Sequence, residues 1–287
     1  MGLYFKYVNR NSKSQGGYGG RDARAYNNTI WNNGYFYTGD ADIVPYRVNA
    51  MVMQYCGNSV DHTGIVLKNN ILYQAADGDW DWGLCAACDC TNVPYTGPCS
   101  KMSDCVAIEQ NWCTRAAECC ARNGDPKFNN PVKVGDAGWS SLYYFSTSLP
   151  DLSLQPSSGA IDGGAYLTQA RGGGSTSTNL IVDDALYFQD GSWGSALARG
   201  VTLFPDWIAI GTVTNTVQIA QGGINYSTNT ITLASPMTWT NGAPIWLFKK
   251  SDGTKVLYGS APDYGAYEYL PSGDTIPPAA PTGLVAN

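Results

Sequence analysis

Charge is scarce in this sequence. Only 14% of its 287 residues are Asp, Glu, Lys or Arg, against ~25% in an average globular protein. Long surface helices draw their polar faces from Lys, Glu and Arg, so a helical architecture is not expected. Lys and Arg nowhere cluster, and the net charge is −6. That balance argues against a nucleic-acid backbone or an anionic membrane surface as partner. It leaves room for an acidic polysaccharide held through Ca²⁺ or a local pocket. No run of ~18 apolar residues exists, so no membrane span is expected. There is one histidine, His62. A Ser–His or Cys–His catalytic arrangement would have to use it, and no nucleophile motif accompanies it; it reads as a turn residue. No signal-peptide pattern precedes Met1-Gly2-Leu3-Tyr4-Phe5-Lys6, which reads as a strand. The chain is expected to have been cut from a longer protein.

In place of charge the sequence carries Gly, Asn, Ser, Thr and Tyr, with 33 Gly and 19 Tyr. Hydrophobic residues make up 44%, enough for a sizeable core. Small polar residues with many aromatics suit an extracellular β-rich protein. Cysteine points to the same compartment. Eight of the nine, Cys85, Cys88, Cys90, Cys99, Cys105, Cys113, Cys119 and Cys120, fall in one short stretch, with Cys56 apart. Such a cluster reads as a disulfide framework formed in an oxidising environment. Spacing does not fix its connectivity, and an odd count leaves at least one cysteine without an intrachain partner. Zinc is the competing reading. Cys85-x-x-Cys88 has ligand spacing, but no second such pair follows and His62 lies well upstream.

Repeats are visible. Asn28-Thr29-Ile30-Trp31, Asn49-Ala50-Met51-Val52 and Asn70-Ile71-Leu72-Tyr73 align on an Asn at steps of 21 residues. One strand and one Asn per repeat predicts a solenoid whose coils stack through parallel strands. Asn tolerates the left-handed backbone of a bend, and stacked Asn amides can bond along the solenoid axis. Phe128-Asn129-Asn130-Pro131 looks like a fourth instance displaced by an insertion. The spacing around Asp104–Arg122, with Val106, Ile108, Trp112 and Ala116-Ala117, predicts a helix within that insertion.

The predicted organisation runs as follows. Residues 1–76 are solenoid coils, 77–124 a Cys-rich stapled insertion, and 125–174 further coils. Gly172–Thr178 reads as a flexible breaker. Residues 175–255 carry short strands rich in Val, Ile, Thr and Trp, as in a small antiparallel barrel or sandwich. Residues 256–270 return as a closing strand, and 271–287 are a Pro-rich linker. The expected fold class is all-β, a right-handed parallel β-helix (a pectate-lyase-like solenoid) bearing two insertions.

Two segments carry a resemblance: Ser157-Ser158-Gly159-Ala160-Ile161-Asp162-Gly163-Gly164 and Ala261-Pro262-Asp263-Tyr264-Gly265-Ala266-Tyr267-Glu268-Tyr269. Together they resemble the end of bacterial secreted β-helix proteins of the choice-of-anchor Q type. The usual form there is Ser-Pro-Ala-Ile-Asp-Ala-Gly followed by Asp-Ile-Gly-Ala-Tyr-Glu. Here Ser158-Gly159 replaces Ser-Pro, and Tyr264 replaces Ile. Asp125-Pro126-Lys127-Phe128 is similar to the family's Asp-Pro-x-Phe. The resemblance implies the fold and a secreted or surface location. It implies no single activity, because lyases, hydrolases and non-catalytic surface proteins share the scaffold. Asp274–Leu284 resembles the entry to a fibronectin type III domain beginning near Pro281.

Candidate chemistry is sparse. The β-helix lyases resemble one another in using a Lys or Arg base, often with Ca²⁺. Arg24, Arg47 and Lys68, at spacings of 23 and 21, would form a basic stripe if they held like positions in successive coils; a solvated face with scattered ion pairs is the plainer reading. A hydrolase would need two carboxylates ~5 to 9.5 Å apart, for which Asp40, Asp42 and Asp61 are available. Asp77-x-Asp79-x-Asp81 opens like a Ca²⁺ loop. Trp82 stands where an EF-hand needs Gly, and Cys88 where it needs Glu, so only a looser calcium site fits. Trp80 and Trp82 are candidates for stacking on sugar rings, or for covering the core beside the disulfides. The leading expectation is a secreted or surface module of structural, assembly or carbohydrate-binding role. The alternative is a polysaccharide lyase or glycoside hydrolase. A homo-oligomer or filament through exposed solenoid ends is a further expectation.

Overall fold

The computed structural model describes residues 3–6, 23–31, 51–54, 65–73, 82–83, 106–113, 120–131, 139–140, 145–146, 150–192 and 203–270. Every element among them is a strand; the chain is all-β. It divides into two compact units. Met1–Ala165 with Ala261–Tyr267 forms the first, and Tyr166–Ser260 with Glu268–Asn287 the second.

In the first unit the chain visits three parallel sheets in a fixed order, three times over. The first circuit is β1 (Leu3–Lys6), β2 (Arg24–Tyr26) and β3 (Thr29–Trp31). The second is β4 (Met51–Gln54), β5 (Ile65–Lys68) and β6 (Ile71–Tyr73). The third is β7 (Trp82–Gly83), β8 (Val106–Glu109) and β9 (Trp112–Cys113). Sheets β1-β4-β7, β2-β5-β8 and β3-β6-β9 result, and β10 (Arg122–Asn123) adds to the last. Registers such as Thr29↔Ile71↔Trp112 give steps of 42 and 41 residues. The repeat is therefore twice the 21 residues suggested by the sequence, and it holds three strands instead of one. The strand after Asn49 pairs with β1, in a different sheet from the strands after Asn28 and Asn70.

The second and third sheets meet at a two-residue corner: Asn27-Asn28, Asn69-Asn70 and Gln110-Asn111. The first residue of each corner has left-handed φ, 51°, 55° and 47° in turn. The second forms a ladder. Asn28 donates through its backbone N and Nδ2 to Asn70 Oδ1, at 3.0 and 2.9 Å. Asn70 donates in the same way to Asn111 Oδ1, at 3.0 and 2.9 Å. The Nδ2 of Asn70 and of Asn111 also reaches the carbonyl three positions before the preceding ladder Asn, Ala25 at 2.9 Å and Leu67 at 2.8 Å, while that of Asn28 reaches Tyr26 O at 3.0 Å. Asn70 and Asn111 are wholly buried, so these bonds satisfy groups that water cannot reach. On either side of the corner, Ala25 and Leu67, and Ile30, Leu72 and Cys113, point inward and are buried. Short apolar side chains at alternate strand positions fill this space.

Two expectations are corrected here. Residues 106–113 are strands of the parallel sheets, not a helix. Their backbone pairs in parallel register with the preceding circuit, and that pairing outweighs the local helical spacing. Asn129 is no ladder member. It lies in β11 (Phe128–Asn130), which pairs antiparallel with β14 (Asp151–Leu154), and its Nδ2 donates to Ser153 Oγ. Parallel pairing thus runs through Asn123, and antiparallel pairing begins at Phe128. A further short antiparallel pair is β12 (Trp139–Ser140) with β13 (Phe145–Ser146). Cys113 and Cys120 form a disulfide that ties β9 to the approach to β10. The other seven cysteines lie outside the described residues.

Residues 261–269, expected as a closing strand, form no strand. They make a clasp. Asp263 Oδ1 accepts from Asp162 N at 2.7 Å, and Asp162 Oδ1 accepts from Ala261 N at 3.2 Å. Tyr264 N donates to Ala160 O, and Gly164 N to Pro262 O. The clasp lies over the outward column Thr29–Ile71–Trp112. Tyr264 meets Trp112 edge-on at 5.8 Å between ring centroids, and Ala266 N donates to Thr29 Oγ1. The corner residues grip it too. Asn27 Nδ2 donates to Asp263 O, Asn69 exchanges two bonds with Ala165, and Gln110 accepts from Tyr264 OH. Gly265 has φ +88°, and a Cβ there would lie 2.9 Å from Ile71 Cδ1. Only glycine meets both conditions.

The second unit is one six-stranded antiparallel sheet. Its strands are β15 (Thr168–Gln169), β16 (Gly174–Ile181), β17 (Trp207–Ile210), β18 (Thr216–Asn225), β19 (Thr230–Trp239) and β20 (Pro244–Lys249). Their order is β15-β20-β17-β18-β19-β16. The sheet curls until its edges meet at the Ala170↔Val182 bridge, where Arg171 N donates to Ile181 O and Asp183 N to Gln169 O. Leu180, Ile208, Ile219, Ile231 and Ile245 fill the inside at 1% exposure or less. The expected flexible breaker at 172–178 is largely strand β16; its Ser and Thr face solvent along a paired ladder.

Asn70→Ala removes the acceptor of the Asn28 backbone N–H and the amide donor that reaches the Ala25 carbonyl. Each such loss costs about 1–3 kcal/mol, so this variant is expected to lose about 4 kcal/mol. Asn28→Ala, at the half-buried end of the ladder, is expected to lose about 1 kcal/mol. Denaturant unfolding of the two variants measures the difference; equal losses would remove the ladder's special place.

Candidate functional site

Of the residues that the sequence singles out, Lys68 is well placed in the structure. It lies in β5 opposite Tyr26, whereas Arg24 lies opposite Val66. The two cations are therefore not in like positions, because the circuit is 42 residues and not 21. Lys68 is 7% exposed, and its Nζ meets Glu109 Oε2 at 3.0 Å. Arg24 Nη1 donates to the neighbouring Ala23 carbonyl at 3.3 Å. Together with Arg47, which lies outside the described residues, they were to form a basic stripe. The structure instead gives Lys68 an ion-pair role within its sheet. Trp82 is the first residue of β7, paired with Met51. Trp80 and the calcium candidates Asp77, Asp79 and Asp81 lie outside the described residues. Among the described residues no group of three or more His, Cys, Asp and Glu is arranged to hold a metal ion. No described helix is long and apolar enough to cross a membrane.

Buried acids occur in the second unit. Burial works against the charge of Asp190, but three donors hold its carboxyl below the usual range. Ser192 N and Oγ donate to Oδ1 at 3.0 and 2.6 Å, and Ile224 N to Oδ2 at 2.9 Å. Asp206 is 6% exposed. Burial pushes it up to about 6, against bonds from Gln189 and the Ser251 backbone that favour the charge. Burial, with these two acids nearby, pushes the Tyr226 phenol up to about 12; its hydroxyl donates to Phe188 O at 3.1 Å. Asp190 and Asp206 spend their oxygens on main-chain N–H groups. They fix loops between strands, which is a structural task.

A different cluster on the same unit faces outward. At the end of the β17–β20 pair, Trp207 stands opposite Lys249. The register slips there, so that Phe248 is an extra residue on its strand. Beyond it the chain turns, and Lys255 bridges back to Lys249. Val256 N donates to Phe248 O, which brings Tyr258 alongside. The turn thus gathers three rings and two ammonium groups. Lys249 Nζ lies 5.0 Å from the Trp207 ring centre and 5.5 Å from that of Phe248. Lys255 Nζ lies 5.3 Å from the Phe248 centre and 4.2 Å from that of Tyr258. Phe248 also leans on the buried Ala209–Trp246–Leu257 cluster, which anchors the row. Among the described residues no carboxylate lies within ion-pair distance of either lysine, unlike Lys68 and Arg171.

Sequence reasoning missed this row, because its members are 51 positions apart at the extremes (Trp207 to Tyr258) and form no motif. The available signal was the density of Trp, Phe, Lys and Tyr across Trp246–Tyr258. Comparison with protein-family models, with curated proteins and with solved structures finds no match.

Asp206 gives the second unit a pH signature. A carboxyl raised in the folded state binds its proton more tightly there than in the unfolded chain, where 3.8 is ordinary. Its stabilising contribution is complete below about 3.8 and is lost as pH rises through about 6. A shift of this size corresponds to about 3 kcal/mol. The melting temperature of the full chain's second-unit transition is expected to rise between pH 7 and pH 5. In Asp206→Asn that rise is expected to vanish. Identical pH profiles for both proteins would assign the effect elsewhere.

Proposed function

We propose that this chain is part of a secreted or cell-surface right-handed parallel β-helix of the choice-of-anchor Q kind. In this reading it serves as a rigid non-catalytic scaffold that presents a carbohydrate-binding surface. Three parallel sheets visited in one order, joined by an asparagine ladder, support the solenoid. The clasp supports the family likeness, since the two resembling segments, Ser157–Gly164 and Ala261–Tyr269, are the ones that bond to each other. A disulfide at Cys113–Cys120 is in keeping with an oxidising compartment.

The row Trp207, Lys249, Phe248, Lys255 and Tyr258 carries the binding role. Aromatic rings beside polar donors suit a sugar, whose ring offers C–H groups on its face and hydroxyls at its edge. A rigid sheet with its curled edges joined holds such a row without an entropy penalty for ordering it on binding.

Binding of the full chain to immobilised neutral and anionic polysaccharides tests this reading. At least one is expected to bind, and Trp207→Ala/Tyr258→Ala is expected to weaken it about tenfold, or 1.4 kcal/mol. No binding across a broad panel, or binding indifferent to both substitutions, would count against it.

A further inference from the structure

We infer that the ligand of this row is an anionic polysaccharide, one bearing a carboxylate or sulfate on its sugars, and that Lys249 and Lys255 bind the anions. The inference rests on reading the row as a glycan-binding surface, and it adds the charge of the ligand. Four observations carry it. The chain as a whole is acidic, at net −6, yet here two lysines stand side by side across a β-bridge. Like charges set so close in a sheet repel, so the arrangement runs against folding energetics unless the rings relieve it. Several other cations in the described structure have polar partners: Lys68 with Glu109, Arg171 with Asp183, and Lys127 with Ser157 O and Oγ. Among the described residues, Lys249 and Lys255 rest against aromatic faces, at 4.2 to 5.5 Å from ring centres.

Aromatic contacts change what these lysines do. A solvated Lys loses about 2 kcal/mol of rotamer freedom when fixed. Resting on ring faces, the two stems are largely fixed before a ligand arrives. The ammonium protons keep their capacity to donate, because a ring face satisfies an N–H only weakly. The row therefore offers two pre-positioned cations with apolar surface between them. A polymer that alternates an anion with the apolar face of a sugar matches that pattern. Nucleic acid matches it less well. Affinity for its phosphates is built from many cations, whereas this row offers two.

The test uses the full chain and five probes: alginate, its propylene glycol ester, dextran sulfate, dextran and single-stranded DNA. Affinity is read by electrophoretic retardation and calorimetry. Alginate or dextran sulfate is expected to bind, with at least tenfold weaker binding of the ester or of dextran. Raising salt from 50 to 500 mM is expected to weaken it about tenfold as well. Lys249→Gln/Lys255→Gln keeps side-chain length and removes charge. It is expected to lower affinity for the anionic polymer at least tenfold, with the melting temperature unchanged. Either polymer alone assigns carboxylate or sulfate as the anion recognised. Equal binding of dextran and alginate would overturn the anionic inference and leave the glycan reading standing. Anionic binding unaffected by the double substitution would also overturn it. So would DNA bound as tightly as either polymer. Binding to none of the five overturns this inference, and silence on the broader neutral panel overturns the glycan reading with it.

Discussion

Everything in the first unit hangs on one stacked side-chain type. A corner between two parallel sheets leaves backbone N–H and C=O groups facing the interior, where water is absent and an unmet polar group costs about 1–3 kcal/mol. Asn is the smallest side chain that both donates and accepts twice. Asn70 uses all of that capacity, taking two bonds from Asn28 and giving one each to Asn111 and Ala25. Stacking of equivalent residues is therefore a condition for burying the corner at all, and it fixes strand register as a consequence. The ladder also shows why it ends. One register step beyond Asn111 stands Ala121, since Trp112 pairs with Arg122, and Ala has no amide to continue the stack.

The residue before each ladder Asn has the opposite orientation and a different task. Asn27, Asn69 and Gln110 take the left-handed backbone of the bend, and their side chains reach out to the clasp. Two adjacent positions thus serve the inside and the outside of the same turn. Through the outer set, residues from 160–165 and 261–266 are bound to the corner and to each other. Gly164 N donates to Pro262 O at 2.8 Å, so the chain leaves the first unit and returns to it at one point. This geometry lets almost a hundred residues depart between Ala165 and Ala261 without opening the parallel sheets. Asp263 capping the Asp162 N–H and Asp162 capping the Ala261 N–H are the fastening of this point.

The sequence made some of this legible and concealed the rest for physical reasons. Asn-Asn followed by short apolar runs pointed to stacked bends, and amide stacking is what the ladder does. The period was misread because Asn49 precedes a strand of its own halfway round the circuit. The third ladder member was hidden because Gln110 replaces the Asn expected in the left-handed position. Around it, Val106, Ile108 and Trp112 have a spacing that suits a helix. Local spacing cannot report that Leu67 and Leu72 wait one circuit away to pair with that segment. Likewise, the Gly-Ser-Thr run at 172–178 looks like a breaker until β19 is seen alongside it. The candidate surface was illegible for the same reason: a β-bulge and a turn assemble it from residues with no shared spacing.

That surface poses a question of charge that the ladder does not. Evolution of a fold alone gives little reason to set Lys249 beside Lys255 across a bridge in an acidic chain, since a carboxylate at either position would improve the local field. The rings of Trp207, Phe248 and Tyr258 offset part of the repulsion, at roughly 0.5–1 kcal/mol for each exposed contact. A row that served only to cover the Ala209–Trp246–Leu257 cluster could do so with uncharged side chains of the same length. What uncharged side chains could not do is hold two ammonium groups at fixed positions above apolar ground. The rigid, ring-supported pair is therefore better explained by something anionic that binds there than by the stability of the sheet beneath it.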